Sequence, residues 1–337
     1  MGKILIRIIY FFGIFIKCNF IKKNLIFGAI KGYNWEIIKP FFISLYKANF
    51  KECDCVIFVC DISRNVTNKL KSMGVIIYQI PEKYKEMKIN NVRYKLYEEY
   101  LSNKLDIYNM VLHADVRDTF FQKDLFQLYE NKGSFIGVSF EEGNISETNH
   151  NSKWMKAQYG DRIYEILKNE KIICSGTIWG TVDKFYELVK NIWKEIVKKS
   201  PYDLSIHDQT ATNYLIYHKK LFKNYILTSD IYTGPVMTVG LANGKDYPYD
   251  LEDNLLNIKD KFKAAVIHQY DRIPKLLQIV EKKYSSQKET ELNTSQLNII
   301  DSKKVVKYIC EKGNFQFIFM GMISCTIIKF IFKKFKK

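Results

Sequence analysis

Several familiar signatures are missing from these 337 residues. There is no C-x-x-C pair and no His beside Cys53, Cys55 and Cys60, which favours core packing of these thiols over a metal site. Neither G-x-x-x-x-G-K-[ST] nor G-x-G-x-x-G occurs, so a P-loop or a standard dinucleotide fingerprint is unsupported. Internal repeats and low-complexity tracts are absent, and 6 Pro and 16 Gly exclude a collagen-like chain. Acidic residues are missing from both ends. Residues 1–23 hold Lys3, Arg7, Lys17, Lys22 and Lys23 and no acid, and residues 315–337 hold Lys329, Lys333, Lys334, Lys336 and Lys337 and no acid.

What is present is ordinary globular composition, 47% apolar and 26% charged, enough for a sizeable core in one large or two modest domains. The net charge of +16 invites a nucleic-acid reading, but the two ends supply ten of those sixteen charges and the middle keeps only +6. No Lys/Arg run interleaved with aromatics occurs there, so nucleic acid is not an expected partner. The seven cysteines are odd in number and lie mostly in apolar runs, as reduced thiols of a cytosolic protein do.

The ends suggest an anionic membrane surface. Residues 4–16 are apolar but interrupted by Arg7 and shorter than the ~20 residues of a spanning helix. They resemble a signal peptide without its small-x-small cleavage site. Residues 315–332 form a stronger apolar run followed by Lys-Lys-Phe-Lys-Lys, suited to spanning marginally or to lying in the interface. Each basic residue near anionic lipid contributes about 1 kcal/mol. The expectation is a peripheral or tail-anchored protein at the cytoplasmic face of a membrane; the alternative is that both ends pack on the body as core helices.

Between the ends, short β-rich runs alternate with helical patterns. Strands are expected at 24–30, 55–60, 75–80, 108–114, 135–140 and 172–180, with helices at 35–49, 63–73, 91–103 and 182–198. Near-continuous apolar strands in βαβα order predict an α/β protein with a mostly parallel central sheet covered on both faces, binding ligand beyond the carboxyl ends of its strands. The expected organisation is a basic apolar segment 1–23, a globular α/β body 24–280, a polar linker 281–312 and a basic apolar tail 313–337. The polar stretch 141–160 reads as a long mobile loop carrying Trp154, or as an ordinary surface insertion.

The most informative stretch is Leu112-His113-Ala114-Asp115-Val116-Arg117-Asp118, an apolar strand stopping abruptly at two carboxylates. At the carboxyl edge of a parallel sheet such groups meet hard cations and phosphates. Capping of a turn and pairing with Arg117 are the plainer alternative. Far along the chain, Ala264-Ala265-Val266-Ile267-His268 is another apolar run ending at a possible ligand, and His207-Asp208-Gln209 opens a further helical stretch at 210–220.

Together these residues resemble the nucleotide-sugar glycosyltransferases of the GT-A fold, in particular the family-8-like enzymes whose metal strand reads D-x-R-D-x-x-F-Q-x-D-x-F. Here it stands as Asp115-Val116-Arg117-Asp118-Thr119-Phe120-Phe121-Gln122-Lys123-Asp124-Leu125-Phe126. The likeness extends in order to Arg93-Tyr94, Cys174 to Gly180, Asp208-Gln209 with Asn213, and His268 to Arg272. One departure is that Asp115 and Asp118 stand three apart where the usual motif is D-x-D. The resemblance implies a GT-A type Rossmann-like sheet and a divalent cation, Mn²⁺ or Mg²⁺, held by Asp115, Asp118 and His268. It implies donor contacts from Ala29, Lys31, Tyr33, Asp61, Arg93 and Arg117, an acceptor side at Ser175, Gly176 and Trp154, and Asp208 and Gln209 beside the reacting sugar. The implied partners are a nucleotide-sugar donor, with uridine as the expected base, and a glycan or glycolipid acceptor. A nucleotidyltransferase and a membrane-anchored binding module without activity are the alternatives.

Deleting residues 313–337 is expected to release the protein from membrane fractions into the supernatant. Persistent co-sedimentation with anionic vesicles would remove the tail as an anchor.

Overall fold

The computed structural model describes residues 22–285 apart from 200–201, 204 and 242–246. The two proposed membrane-contact ends, apart from Lys22 and Lys23, and all of the polar stretch beyond Ser285, lie outside the described residues; Lys23 opens β1 and pairs with Asp54. Among the described residues no helix is long and apolar enough to cross a membrane.

The first strand, β1 (Lys23–Lys31), sends Leu25 and Phe27 to one face and Ile26 and Ile30 to the other, all buried. A strand apolar on both sides belongs inside a covered sheet. Helix α1 (Trp35–Ala48) starts where the Asn34 side chain accepts from the Ile37 N–H at 3.1 Å. It stops at Asn49, whose backbone is left-handed. The chain continues through β2 (Cys53–Cys60), α2 (Arg64–Ser72, capped by Ser63), β3 (Ile76–Gln79), α3 (Ile89–Leu101) and β4 (Tyr108–Ala114). These four strands are mutually parallel, because each crossover is long enough to return the chain to the same edge.

Beyond β4 the short β5 (Thr119–Phe121) leaves the sheet, and β6 (Ile136–Asn144), α4 (Asn149–Leu167), β7 (Lys171–Thr181) and α5 (Val182–Val197) follow. Helix α6 (Asp208–Asn213), β8 (Ile226–Ser229), β9 (Val236–Thr238), β10 (Val266–His268) and α7 (Pro274–Val280) complete the named elements. The central sheet has seven strands in the order β3-β2-β1-β4-β7-β6-β8. Only β7 runs against its neighbours, so the sheet is mostly parallel and Rossmann-like, as the strand pattern predicts. One apolar cluster joins α1 and α2 to one face through Phe41, Phe42 and Leu70; another joins α3 and α5 to the opposite face through Phe27, Tyr97 and Phe185.

A second sheet, β5-β10-β9, has three strands. It sets His268 of β10 opposite Thr119 of β5 and Thr238 of β9. The stretch after Phe120 in the acidic motif builds this junction. Gln122 is buried, donating from Nε2 to the Leu255 and Ala264 carbonyls at 2.9 Å each and accepting from the Leu255 N–H at 2.8 Å. Asp124 accepts from the Lys51 and Phe126 N–H groups, and the Phe121 ring packs edge-on to Phe41 and Phe50.

One expectation is overturned. The stretch 141–160 is not a loop: it comprises the end of β6, a capped turn at Ile145–Glu147 and most of α4. The helix hides its period because two of its four buried positions, Asn151 and Gln158, are polar. Residues Glu281–Ser285 continue the body, with Tyr284 buried against Phe120.

Gln122→Ala leaves the buried Ala264 carbonyl and the Leu255 N–H without a partner, and leaves the Leu255 carbonyl with the Ala264 N–H alone. At about 1–3 kcal/mol per unsatisfied group, the loss of unfolding free energy in urea titration is expected to be about 2 kcal/mol or more.

Candidate active site

Asp115 follows β4 directly, and its N–H donates to the Gly176 carbonyl at 2.8 Å, which ties the strand end to β7. The turn after it brings Asp118 round, where the Asp118 carbonyl accepts from the Gln269 N–H at 2.7 Å. The carboxylates, three residues apart in sequence, therefore converge on one point, and His268 arrives there from the second sheet. Its Nε2 lies 3.5 Å from Asp115 Oδ2 and 3.4 Å from Asp118 Oδ1. One ligand atom from each of the three residues falls within 4.8 Å of the others. Two carboxylates and an imidazole are a donor set that suits Mn²⁺ or Mg²⁺ completed by water or phosphate oxygens. Gly176 is required beside them: a Cβ there would stand 2.2 Å from His268 Cε1 and 2.6 Å from Asp115 Oδ2.

Beneath the cluster lies Arg93 on α3, 3% exposed. Its guanidinium pairs with Asp115 Oδ1, reaches Asp208 Oδ2 at 2.5 Å and donates to the Ser175 carbonyl at 3.3 Å. Tyr94 Oη donates to Asp208 at 3.1 Å. One buried cation thus serves two carboxylates from distant parts of the chain. Burial alone disfavours ionised Asp115, but Arg93, with the His268 and His113 rings, outweighs it and holds the carboxyl well below the usual range. His113, also buried, is pushed down by burial and by Arg93, and its Nδ1 lies 3.0 Å from the Tyr97 hydroxyl.

His268 is oriented from behind. Its Nδ1 lies 3.4 Å from Cys174 Sγ and 3.5 Å from Thr238 Oγ1, and Thr238 continues to Ser139 at 3.0 Å and so to Thr177 at 2.6 Å. Such contacts fix a ring so that Nε2 faces a cation. Burial favours a neutral His268, but Cys174, Asp118 and Asp115 together raise it well above its ordinary value. Burial also raises Cys174, which stays a thiol, so the carboxylates carry that effect.

The remaining expected residues fall into two groups. On the inner side, Gln209 accepts from the Ser175 N–H at 3.3 Å and donates to Asn151 at 3.0 Å and to Glu141 at 3.4 Å. Asn213 holds the same helix to β7 through both backbone groups of Ile173, at 2.9 and 2.8 Å. Trp154 on α4 stacks on His207 with 3.9 Å between ring centroids, next to Asp208. On the open side, Arg117 bridges Asp118 at 2.7 Å and Asp271 at 2.9 Å, and Tyr33 feels the charges of Arg117, Asp115 and Asp118. Lys31 and Cys60 are register partners at the carboxyl ends of β1 and β2, which places Ala29, Lys31 and Asp61 along that edge. The Lys31 ammonium rests on the Lys85 carbonyl.

Glu141 is the residue that sequence reasoning misses. It is buried between the side-chain amides of Gln209 and Gln269, each at 3.4 Å. An acid closing the apolar run 135–140 is the same signal that marks Asp115, and it is present in the sequence.

Among solved structures, the chain is similar to galactosyltransferase LgtC in complex with donor and acceptor sugar analogues, at 13% identity over 79% of this chain and 98% of the other, with a TM-score of 0.49. An active-site mutant of LgtC is similar at 13% identity over the same shares, with a TM-score of 0.48. No family model and no curated protein matches the chain.

Without metal, the raised His268 holds a proton between two carboxylates, and a bound cation must displace it. Mn²⁺ affinity measured by calorimetry is therefore expected to fall about tenfold per pH unit below the folded-state value of His268, with one proton released per ion. In the metal-free protein the same proton stabilises the fold fully below the unfolded-state value of about 6.5, and that contribution is lost as pH rises through the raised value. Asp115→Asn should weaken Mn²⁺ binding by at least the roughly 100-fold that loss of an outer-sphere partner can cost. Unchanged affinity would remove Asp115 from the site.

Proposed function

We propose that the protein is a metal-dependent glycosyltransferase of GT-A type, a hexosyltransferase that moves a sugar from a uridine-diphosphate-linked donor to a glycan or lipid-linked acceptor. The observation that carries this reading is the convergence of Asp115, Asp118 and His268 at the carboxyl edge of the sheet, beside Ser175, Asp208 and Gln209. Sugar transfer separates a cationic sugar from an anionic diphosphate, and a divalent cation held by the three ligands would supply Lewis-acid stabilisation of the departing charge.

The chain's own groups have definable parts in this reading. Arg93 keeps Asp115 ionised and aimed, so a ligand is ready without reorganisation. Ala29, Lys31, Tyr33 and Asp61 border the nucleotide along the open edge, and Arg117 stands close to the diphosphate. Gly176 lets the His268 ring and the Asp115 carboxylate close up against the β7 backbone, on the acceptor side of the site next to Ser175. Gln209, fixed by Asn151, Glu141 and the Ser175 N–H, presents its amide to the sugar, and Asp208 is held next to it by Arg93 and Tyr94. Trp154 stands on the acceptor side. The basic ends would hold this machinery at the cytoplasmic face of a membrane, where a glycolipid acceptor is presented.

Purified protein incubated with a panel of nucleotide sugars and Mn²⁺ is expected to release nucleoside diphosphate from one donor, and Gln209→Ala is expected to slow that release by about 100-fold, the scale of losing one well-placed transition-state contact. If no donor is bound, hydrolysed or transferred, the reading fails.

A further inference from the structure

A second concavity lies outside the acidic cluster. It is a pocket of about 270 Å³ between the end of the sheet and the turn that follows α6. Its walls are Val138 and Phe140 of β6, Ile173 of β7 and Ile216, with Lys220 and Lys223 at the rim. At that size it is just below the roughly 300–1,000 Å³ of sites that take drug-sized molecules, and its lining has few polar groups. A nucleotide has no use for such walls; a single apolar chain does.

Three features give this pocket a direction. First, it opens beside β8, the terminal strand of the sheet. Second, its rim is cationic: Lys220 and Lys223 form no ion pair with any carboxylate of the described residues. The turn that presents them is held in left-handed backbone at Lys220 (φ 52°) and Phe222 (φ 65°), and Phe222 is itself buried in the main core. Side chains of that size seldom adopt this conformation, so the presentation is fixed by packing. Third, the pocket is built from the same elements as the candidate active site. Ile173 stands two residues, about 7 Å, from Ser175 along one face of β7. Ile216 lies on the direct continuation of the helix that carries Asp208 and Gln209.

We propose that this pocket binds the apolar chain of an anionic lipid-linked acceptor, with Lys220 and Lys223 meeting its phosphate-type headgroup. The inference rests on the glycosyltransferase reading and names its acceptor class, because β7 and the helix continuing from α6, which wall this pocket, also carry Ser175 and Gln209. The positive rim selects against neutral and cationic amphiphiles. The apolar walls select against a headgroup without a chain.

The test uses the full-length protein and dodecyl phosphate below its micellar concentration, followed by calorimetry. One dodecyl phosphate is expected per chain, with inorganic phosphate and dodecyltrimethylammonium binding at least about tenfold more weakly. Thr228→Trp, at an exposed position on the pocket wall, is expected to plug it and abolish binding. The double variant Lys220→Glu/Lys223→Glu should weaken binding by about tenfold or more, since each basic residue near an anionic headgroup contributes about a factor of five. Retained Mn²⁺ binding verifies the fold of both variants. Undiminished binding in Thr228→Trp overturns the proposal, as does equal affinity for inorganic phosphate, which would make this a plain anion site, or for dodecyltrimethylammonium. Donor hydrolysis in water is read separately. Turnover without amphiphile binding sinks only the acceptor assignment, whereas specific amphiphile binding without any donor turnover sinks the enzyme reading.

Discussion

The ion pairs of Arg93 are the interaction on which the candidate site depends. A guanidinium removed from water is costly unless its donors find acceptors; here the two terminal nitrogens find Asp115, Asp208 and the Ser175 carbonyl, while Nε is buried without a partner. These three acceptors come from the end of β4, the first residue of α6 and the middle of β7, elements far apart in sequence. Deleting one partner of a buried pair typically costs about 3–5 kcal/mol, because the other charge is stranded. The same contact that stabilises the body therefore fixes the relative positions of a candidate metal ligand and of the residue next to Gln209. Structure and chemistry are coupled through one side chain.

The second constraint is the junction between the two sheets. His268 reaches the carboxylates only because β10 pairs with β5, and β5 follows the Asp115–Asp118 turn within one residue. Gln122 and Asp124 clamp the segments on either side of that junction, while Gly176 and the hydroxyl line Ser139, Thr177 and Thr238 shape the space around the ring. The acidic motif is thus two devices in one run of sequence. Its first part, Asp115 to Asp118, faces the site; its second part, from Phe121 onward, holds the second sheet against the first.

Much of this is legible in the order of the amino acids. Apolar runs broken by helical spacing mark the strands of the central sheet to within two residues for β1, β2, β4 and β7, since strands buried on both faces leave a strong signal. Asp115 and His268 stand out because each ends such a run. Helix α4 is hidden because its buried face includes Asn151 and Gln158, which serve the site and look like surface residues. Strands β5, β8, β9 and β10, of three or four residues each, are too short for a period to register. Glu141 escapes notice because the acidic stretch after Phe140 reads as the start of a loop.

The sequence by itself determined the layered α/β body, the reduced thiols of its middle and the location of the excess charge at its two ends, because composition and periodicity act locally and survive without knowledge of contacts. It also marked which carboxylates, rings and amides were candidates. Only the tertiary structure decided that Asp115 and Asp118 converge despite their spacing and that Arg93 lies beneath them as a buried strut. It likewise decided that an apolar pocket with a basic rim forms between β6, β7 and the turn after α6. Each of these depends on side chains between about 20 and 150 residues apart sharing one desolvated volume, where the energy of a charge or an apolar wall is set by its neighbours and not by its place in the chain.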